Sequence, residues 1–334
     1  MIGNSVIAGL FAESTFALLF PILLLVLWKK RTGASVTPFF VGAAVFFLFA
    51  MVLEQVLHTI CLGMFSGIRS NPAVYILYGG FAAGIFEETG RFLAFRLMKK
   101  HVGRENAVTY GIGHGGMEAM LLVGVNMLLY GVCALMMNAG GAEALAIFGT
   151  EAQAALPGLL QSMTAESCFW GTMERLAAIG LHIGLSVFVF AAVHQPGKIW
   201  LYPAAVLLHA GIDFIPGLYQ MQILTSLPLT EVLVLLYSGV TLLLAMGIYR
   251  TLPKGMPKAE AGKHPLLGTI VVVALLVMYL LGYGAVALLI PGIPRFVKIL
   301  IGGVVLAVIA LLIALLTQRI GELKSGELDD LDQY

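Results

Sequence analysis

Apolar positions run along the chain in nine blocks, at about 5–27, 37–58, 73–97, 107–134, 172–194, 199–221, 230–249, 266–290 and 297–317. Each is close to the roughly 20 mostly apolar residues that a membrane helix needs. In lipid every backbone N–H and C=O must be satisfied within the protein, and a helix does this inside a single segment. The pattern therefore predicts an all-α fold, a polytopic transmembrane helix bundle of about nine spans. The connectors are short, so residues 1–334 read as a single integral membrane domain. The longest connector, about 135–171, is rich in Ala and Gly and lacks Lys and Arg. It reads as a re-entrant or surface segment, with an interfacial helix interrupted at Pro157. The tail, 318–334, reads as an acidic, disordered cytoplasmic extension.

Composition sharpens the class. Hydrophobic residues make up 60% of the chain and charged residues 11%, with a mean hydropathy of +0.96. Average soluble proteins are about 45–50% apolar and about 25% charged. An ordinary soluble domain, a disordered chain and a nucleic-acid binder are excluded, and a net charge of +1 implies no polyanionic partner. With the N-terminus outside, 14 of the 19 Lys and Arg fall on the cytoplasmic side, three outside and two within spans. That asymmetry supports an N-out/C-in arrangement in a bacterial-type plasma membrane. No basic residue precedes the first span, while Lys29, Lys30 and Arg31 follow it, so it reads as an uncleaved anchor. Cys61, Cys133 and Cys168 map near the outer ends of spans, where buried thiols are favoured over one outer disulfide.

Ionisable residues inside the spans carry the chemistry. A charge at the bilayer centre costs at least about 2.5–3.5 kcal/mol, so each needs a reason to be there. The third span contains Glu87-Glu88-Thr89-Gly90-Arg91. Arg91 lies four residues after Glu87 and three after Glu88, on the neighbouring helix surface, and can hold one carboxylate ionised. The other then suits a general base, and a structural ion pair is the competing reading. The fourth span contains Gly113-His114-Gly115-Gly116-Met117-Glu118, with His114 and Glu118 one turn apart on one face. Its glycines permit close helix approach. The fifth span carries Glu174, Arg175 and His182, with Arg175 near its outer end. The sixth carries His209 and Asp213 at the same one-turn spacing, so the carboxylate can orient the imidazole or help it hold a metal. Glu54 and His58, at the outer end of the second span, read as a supporting pair.

Depth ties these groups together. At about 1.5 Å per residue, Glu87, Glu118, His182 and His209 all lie roughly 15–18 Å from the cytoplasmic ends of their helices. Independent structural pairs need not agree in depth, whereas one site fed by four helices must. Spans three to six, residues 73–221, therefore read as a catalytic four-helix core. The chain has no HExxH, CxxC, Gly-rich phosphate loop or Ser-centred elbow.

In this order the motifs resemble the YhfC family of intramembrane proteases. More distantly they are similar to PrsW-type proteases and to the CAAX-processing and bacteriocin-processing superfamily. The likeness covers about 80–215. It implies that Glu87 or Glu88 activates water and that His182 and His209, with His114 as a further possible donor, bind a metal such as Zn²⁺ or form an oxyanion site. Arg91, His114, Glu118, Arg175 and Asp213 would support them. The departure lies in the second motif: relatives carry either a histidine or a glutamate there, and this chain carries both His114 and Glu118. The resemblance leaves open whether such sites use a metal or only a glutamate.

Peptide hydrolysis needs an activated water, a stabilised oxyanion and a proton for the leaving amine. A Glu with two histidines can supply all three, in a water-filled cavity expected to open toward the cytoplasmic half. The implied partners are the lipid bilayer and a membrane protein or peptide substrate. The main competing reading is a proton-coupled transporter using the same Glu and His groups as a relay. A non-catalytic membrane scaffold is the third. Many transporters show repeated halves, and this chain shows no repeat.

Overall fold

A computed structural model describes residues 1–99 and 101–254, with isolated positions beyond them. Residues Met1–Lys258 form one compact unit. Its long helices are α1 (Asn4–Thr32), α2 (Thr37–Met64), α3 (Pro72–Leu97), α4 (Arg104–Gly140), α5 (Ala165–His194), α6 (Leu201–Gln220) and α7 (Leu227–Thr251). The described residues contain no strand. All of these helices except α3 are long and apolar enough to cross a membrane, which makes six. α3 has the length, but Glu87, Glu88 and Arg91 lower its hydropathy. The expected spans at 266–290 and 297–317 and the acidic tail lie outside the described residues.

Local sequence explains where the helices begin and end. Asn71 opens α3 by accepting hydrogen bonds from the N–H groups of Ala73 and Val74, with Pro72 in the first turn. Thr164 and Ser167 form a capping box at the start of α5. Gly33 closes α1 at φ 72°, and its N–H reaches the carbonyl of Lys29 at 2.8 Å. The connector after α4 is helical for much of its length. A 3₁₀ stretch, Ala142–Phe148, leads to a helix, Thr150–Ser162, that continues through Pro157. The expected interruption at Pro157 does not occur, because the ring removes one backbone bond and the remaining turns hold.

α5 is the centre of the bundle. Its most apolar stretch is 72% buried, against 22–44% for the other five apolar helices, and α1, α3, α4, α6 and α7 all pack on it. Two close approaches then set the site. A Cβ on Gly84 would lie 2.7 Å from the Val206 carbonyl oxygen, so the α6 backbone rests directly on α3 one turn before Glu87. A Cβ on Gly111 would lie 2.8 Å from the His182 carbonyl oxygen, so α4 rests in the same way on α5.

Two helices carry π-helical stretches. In α2 it covers Phe47–Glu54, and in α4 it covers Ala119–Gly124, starting directly after Glu118. Such stretches are rare and frequently mark functional sites. Ser14 of α1 donates to the carbonyl of Gly124, at the end of this stretch, at 2.8 Å. The three cysteines are free, with Cys133 and Cys168 buried.

Candidate active site

The ionisable residues of α3 to α6 meet in one cluster. At its base lies Arg91, fully buried. Its Nη1 donates to both oxygens of Glu88 at 2.7 Å, and both side chains are shut off from solvent. Removing two charges from water is costly, and a fully enclosed pair holds only when further hydrogen bonds complete it. Here they do. His209 of α6 meets Glu88 Oε1 through Nδ1 at 2.7 Å, and Arg91 Nη2 reaches Nδ1 of His182 at 2.9 Å.

Hydrogen-bond accounting separates the two histidines. A guanidinium only donates, so Nδ1 of His182 is an acceptor and its proton sits on Nε2. That proton goes to Glu118 Oε2 at 2.6 Å. Arg175 in turn donates to Glu118 Oε1 at 2.8 Å and pairs with Glu174 at 2.7 Å. His209 is arranged the opposite way. The ionised Glu88 accepts from Nδ1–H, which turns Nε2 toward Glu87 Oε1 at 3.9 Å and Asp213 Oδ2 at 3.7 Å. Asp213 Oδ2 is buried and has no hydrogen-bond partner. Three acceptor atoms facing one another in a poor dielectric repel unless a cation lies among them, either a proton on Nε2 or a metal ion.

Glu87 is anchored on its other side, where Oε2 meets His114 Nε2 at 2.8 Å. His114 is fully buried, set between the rings of Phe46 and Tyr110 with centroids at 5.4 and 5.9 Å. This separates the two residues of the second motif. His114 sits behind Glu87, and Glu118 lines the cavity beside His182. Among the described residues, Glu87, His182 and His209 form the donor group that could hold a metal, with one atom from each lying within 4.8 Å of the others. Two histidines and a carboxylate are a ligand set found in hydrolytic zinc sites. His209 also shows the usual support for such a ligand, its second ring nitrogen being held by a carboxylate. A metal on His182 would take the place of the Nε2 proton.

A cavity of about 340 Å³ ends on this cluster, with Glu87, Glu118, His182, His209 and Asp213 in its lining. The rest of its lining includes His58 and Leu62 near the end of α2, Tyr75 and Tyr78 in the first turns of α3, and Gln220 at the end of α6. Those helix ends share the N-terminal face of the bundle. The expected opening on the cytoplasmic half is thereby reversed relative to the N-out reading. The opposite half is closed by packed rings: Phe95 lies 4.7 Å from Tyr110 and 5.2 Å from Phe190 between centroids, all three buried.

All nine candidate residues therefore belong to this cluster or touch it. Tyr78 was not legible as part of the site. Its hydroxyl meets His58 Nδ1 at 2.9 Å, and His58 Nε2 meets Glu54 at 3.1 Å. Tyr78 sits nine residues before Glu87 in an apolar run, and no spacing marks it.

The fold and site define a helical membrane protein with a buried Glu/His centre. The profile of the YhfC intramembrane metalloprotease family matches residues 16–234, and the chain belongs to that family. It is 36% identical over 247 residues to the uncharacterized membrane protein YhfC of Bacillus subtilis (strain 168), covering 72% of this chain and 95% of that protein. No solved structure matches.

Proposed function

We propose that this protein is an intramembrane endopeptidase that hydrolyses a peptide bond of a membrane-embedded or membrane-adjacent substrate, with Glu87 as the group that activates water. The observation that carries this reading is the facing of Glu87 Oε1 and His209 Nε2 at the inner end of the cavity, 3.9 Å apart. Glu87 is held by His114 through Oε2, which leaves Oε1 toward the cavity to accept a proton from water and return it to the leaving amine. Arg91 and Glu88 hold His209 in place. Arg175 and Glu118 hold His182, whose Nε2–H is a donor near the cluster. A metal ion held by His182 and His209 would polarise the scissile carbonyl and take up the charge of its oxygen, with Glu87 Oε1 left free as the base.

The family name supports the metal-dependent form of this reading. The shape of the cluster favours hydrolysis over transport. A relay needs polar groups in line across the bundle, whereas here the half beyond the cluster is closed by Phe95, Tyr110 and Phe190. The test is to express the wild type and Glu87→Gln in a bacterial host and compare new peptide termini across the membrane proteome. Termini within or beside hydrophobic segments, present only with the wild type, are expected. Identical termini in the two strains would end the protease reading.

A further inference from the structure

The two halves of α2 are held very differently. Before the π-helical stretch, residues 37–46 bury Pro38, Phe39, Gly42, Ala43 and Phe46 and pack along α4. After it, residues 55–64 bury only Val56. The chief backbone neighbours of this second half are the π-helical stretch before it and the short Ser66–Ser70 helix after it. Even so, His58 and Leu62 from this half form part of the cavity wall. A tie to α3 is the hydrogen bond between His58 and Tyr78, at 2.9 Å. Few buried contacts mark a segment that opens locally at low cost.

Depth makes that wall matter. Tyr75, in the first turn of α3, lines the cavity twelve residues, about 18 Å along the helix, from Glu87. A helix keeps its backbone carbonyls bonded within itself, so a peptide bond meets the cluster only from an unwound segment, and a segment entering from the lipid must pass the wall. At about 3.3 Å per residue, five or six extended residues cover that depth.

We propose that residues 55–64 are a movable wall, hinged at the π-helical stretch Phe47–Glu54 and latched by His58 and Tyr78, that admits a membrane-spanning apolar segment from the lipid side. This rests on the proteolytic reading for its purpose and names the substrate class: a hydrophobic helix that unwinds beside the wall and is cut about five or six residues in from the N-terminal face of the bundle. The walls suit such a segment, since Leu62, Ile76, Leu181, Ile212 and Val234 are apolar and lie between the polar residues at the N-terminal face, His58, Tyr75, Tyr78 and Gln220, and the ionisable cluster at the inner end.

The test uses the full chain in lipid nanodiscs and reads movement and capture, not cleavage. Amide hydrogen exchange of residues 55–64 is expected to outpace that of 37–46 in the wild type. Tyr78→Phe removes the latch hydroxyl and should speed exchange of 55–64 about fivefold, the factor that one neutral hydrogen bond of about 1 kcal/mol is worth, with 37–46 unchanged. His58→Gln is the second variant, should Tyr78→Phe fold poorly. In parallel, a photoreactive phenylalanine analogue at position 62 should capture a synthetic Leu/Ala transmembrane peptide in the same nanodisc, and more of it in Tyr78→Phe. The same analogue at Leu27, which is 54% exposed on α1, should give equal capture in both proteins. Equal exchange in the two halves of α2 would overturn the movable wall. Exchange as expected without capture at position 62 would overturn the lateral route. Neither outcome depends on whether any peptide is cut, so the absence of proteolysis would be seen separately.

Discussion

Arg91 donates to His182 Nδ1 at 2.9 Å while holding both oxygens of Glu88 at 2.7 Å. Because Glu88 also takes the Nδ1 proton of His209, a single guanidinium sets the orientation of two histidines on two helices. Arg91→Ala leaves Glu88 as an unpaired buried carboxylate and should cost about 3–5 kcal/mol. His182→Ala leaves Glu88 paired and should cost less. Thermal melts in detergent compare them directly, and matching melts would contradict this account. Arg91→Lys should rescue little, since one ammonium cannot reproduce the two-sided fork.

Glu87 and Glu88 are adjacent in sequence but are assigned different work. Glu87→Gln should lower peptide hydrolysis by about 10²–10⁴-fold, the usual range for losing a positioned base, with little change in the melt. Glu88→Gln removes the charge that pairs with Arg91 and should lower both activity and melting temperature. Rates and melts measured on the same preparations separate the two roles. A Glu88→Gln protein as stable as wild type would show that the ion pair does not hold the cluster.

Metal content tests the donor group. About one zinc ion per chain is expected in the purified protein. It should fall sharply in His182→Ala and in His209→Ala. It should survive in His114→Ala, because His114 meets Glu87 through Oε2, on the side away from His209. Elemental analysis of the four proteins decides this. Full metal in both His182→Ala and His209→Ala would remove the metal from the proposal and leave Glu87 working without it.

The glycine seams can be tested apart from the chemistry. At Gly84 a side chain meets the backbone of Val206, which cannot rotate away. Gly84→Leu should force α3 and α6 apart, costing about 1–3 kcal/mol or more, and should separate Glu87 from His209. Gly239, where a Cβ meets nothing within 4 Å, should accept Ala with little change in the melt. Equal tolerance at the two positions would contradict the seam.

Much of the site was legible in the chain because lipid makes buried charge expensive. Each ionisable residue inside a span had to have a purpose, and one-turn spacings such as His209 with Asp213 placed pairs on one face. Depth along each helix added that the groups lie at one level. Pairing between helices was not legible. His114 and Glu118 share a face of α4, yet one meets Glu87 on α3 and the other meets His182 on α5. Spacing within one helix cannot say which neighbour its face meets. Which half of the bundle is open was not legible either: the rings of Phe95, Tyr110 and Phe190 pack the half opposite the cavity, and under the N-out reading the open half is the outer one rather than the cytoplasmic one expected.

The sequence by itself determined that this is a helical membrane protein and that its buried ionisable residues concentrate in α3 to α6. Those follow from the cost of polar groups in hydrocarbon and from the 3.6-residue period, both local properties of the chain. Tertiary structure alone decided that Arg91 serves His182 as well as Glu88, that Tyr78 latches His58, and that the second half of α2 walls the cavity with little packing behind it. Such relations depend on which helices pack together and at what rotation. They are set by contacts such as Gly84 against Val206, between residues more than 100 positions apart in the sequence.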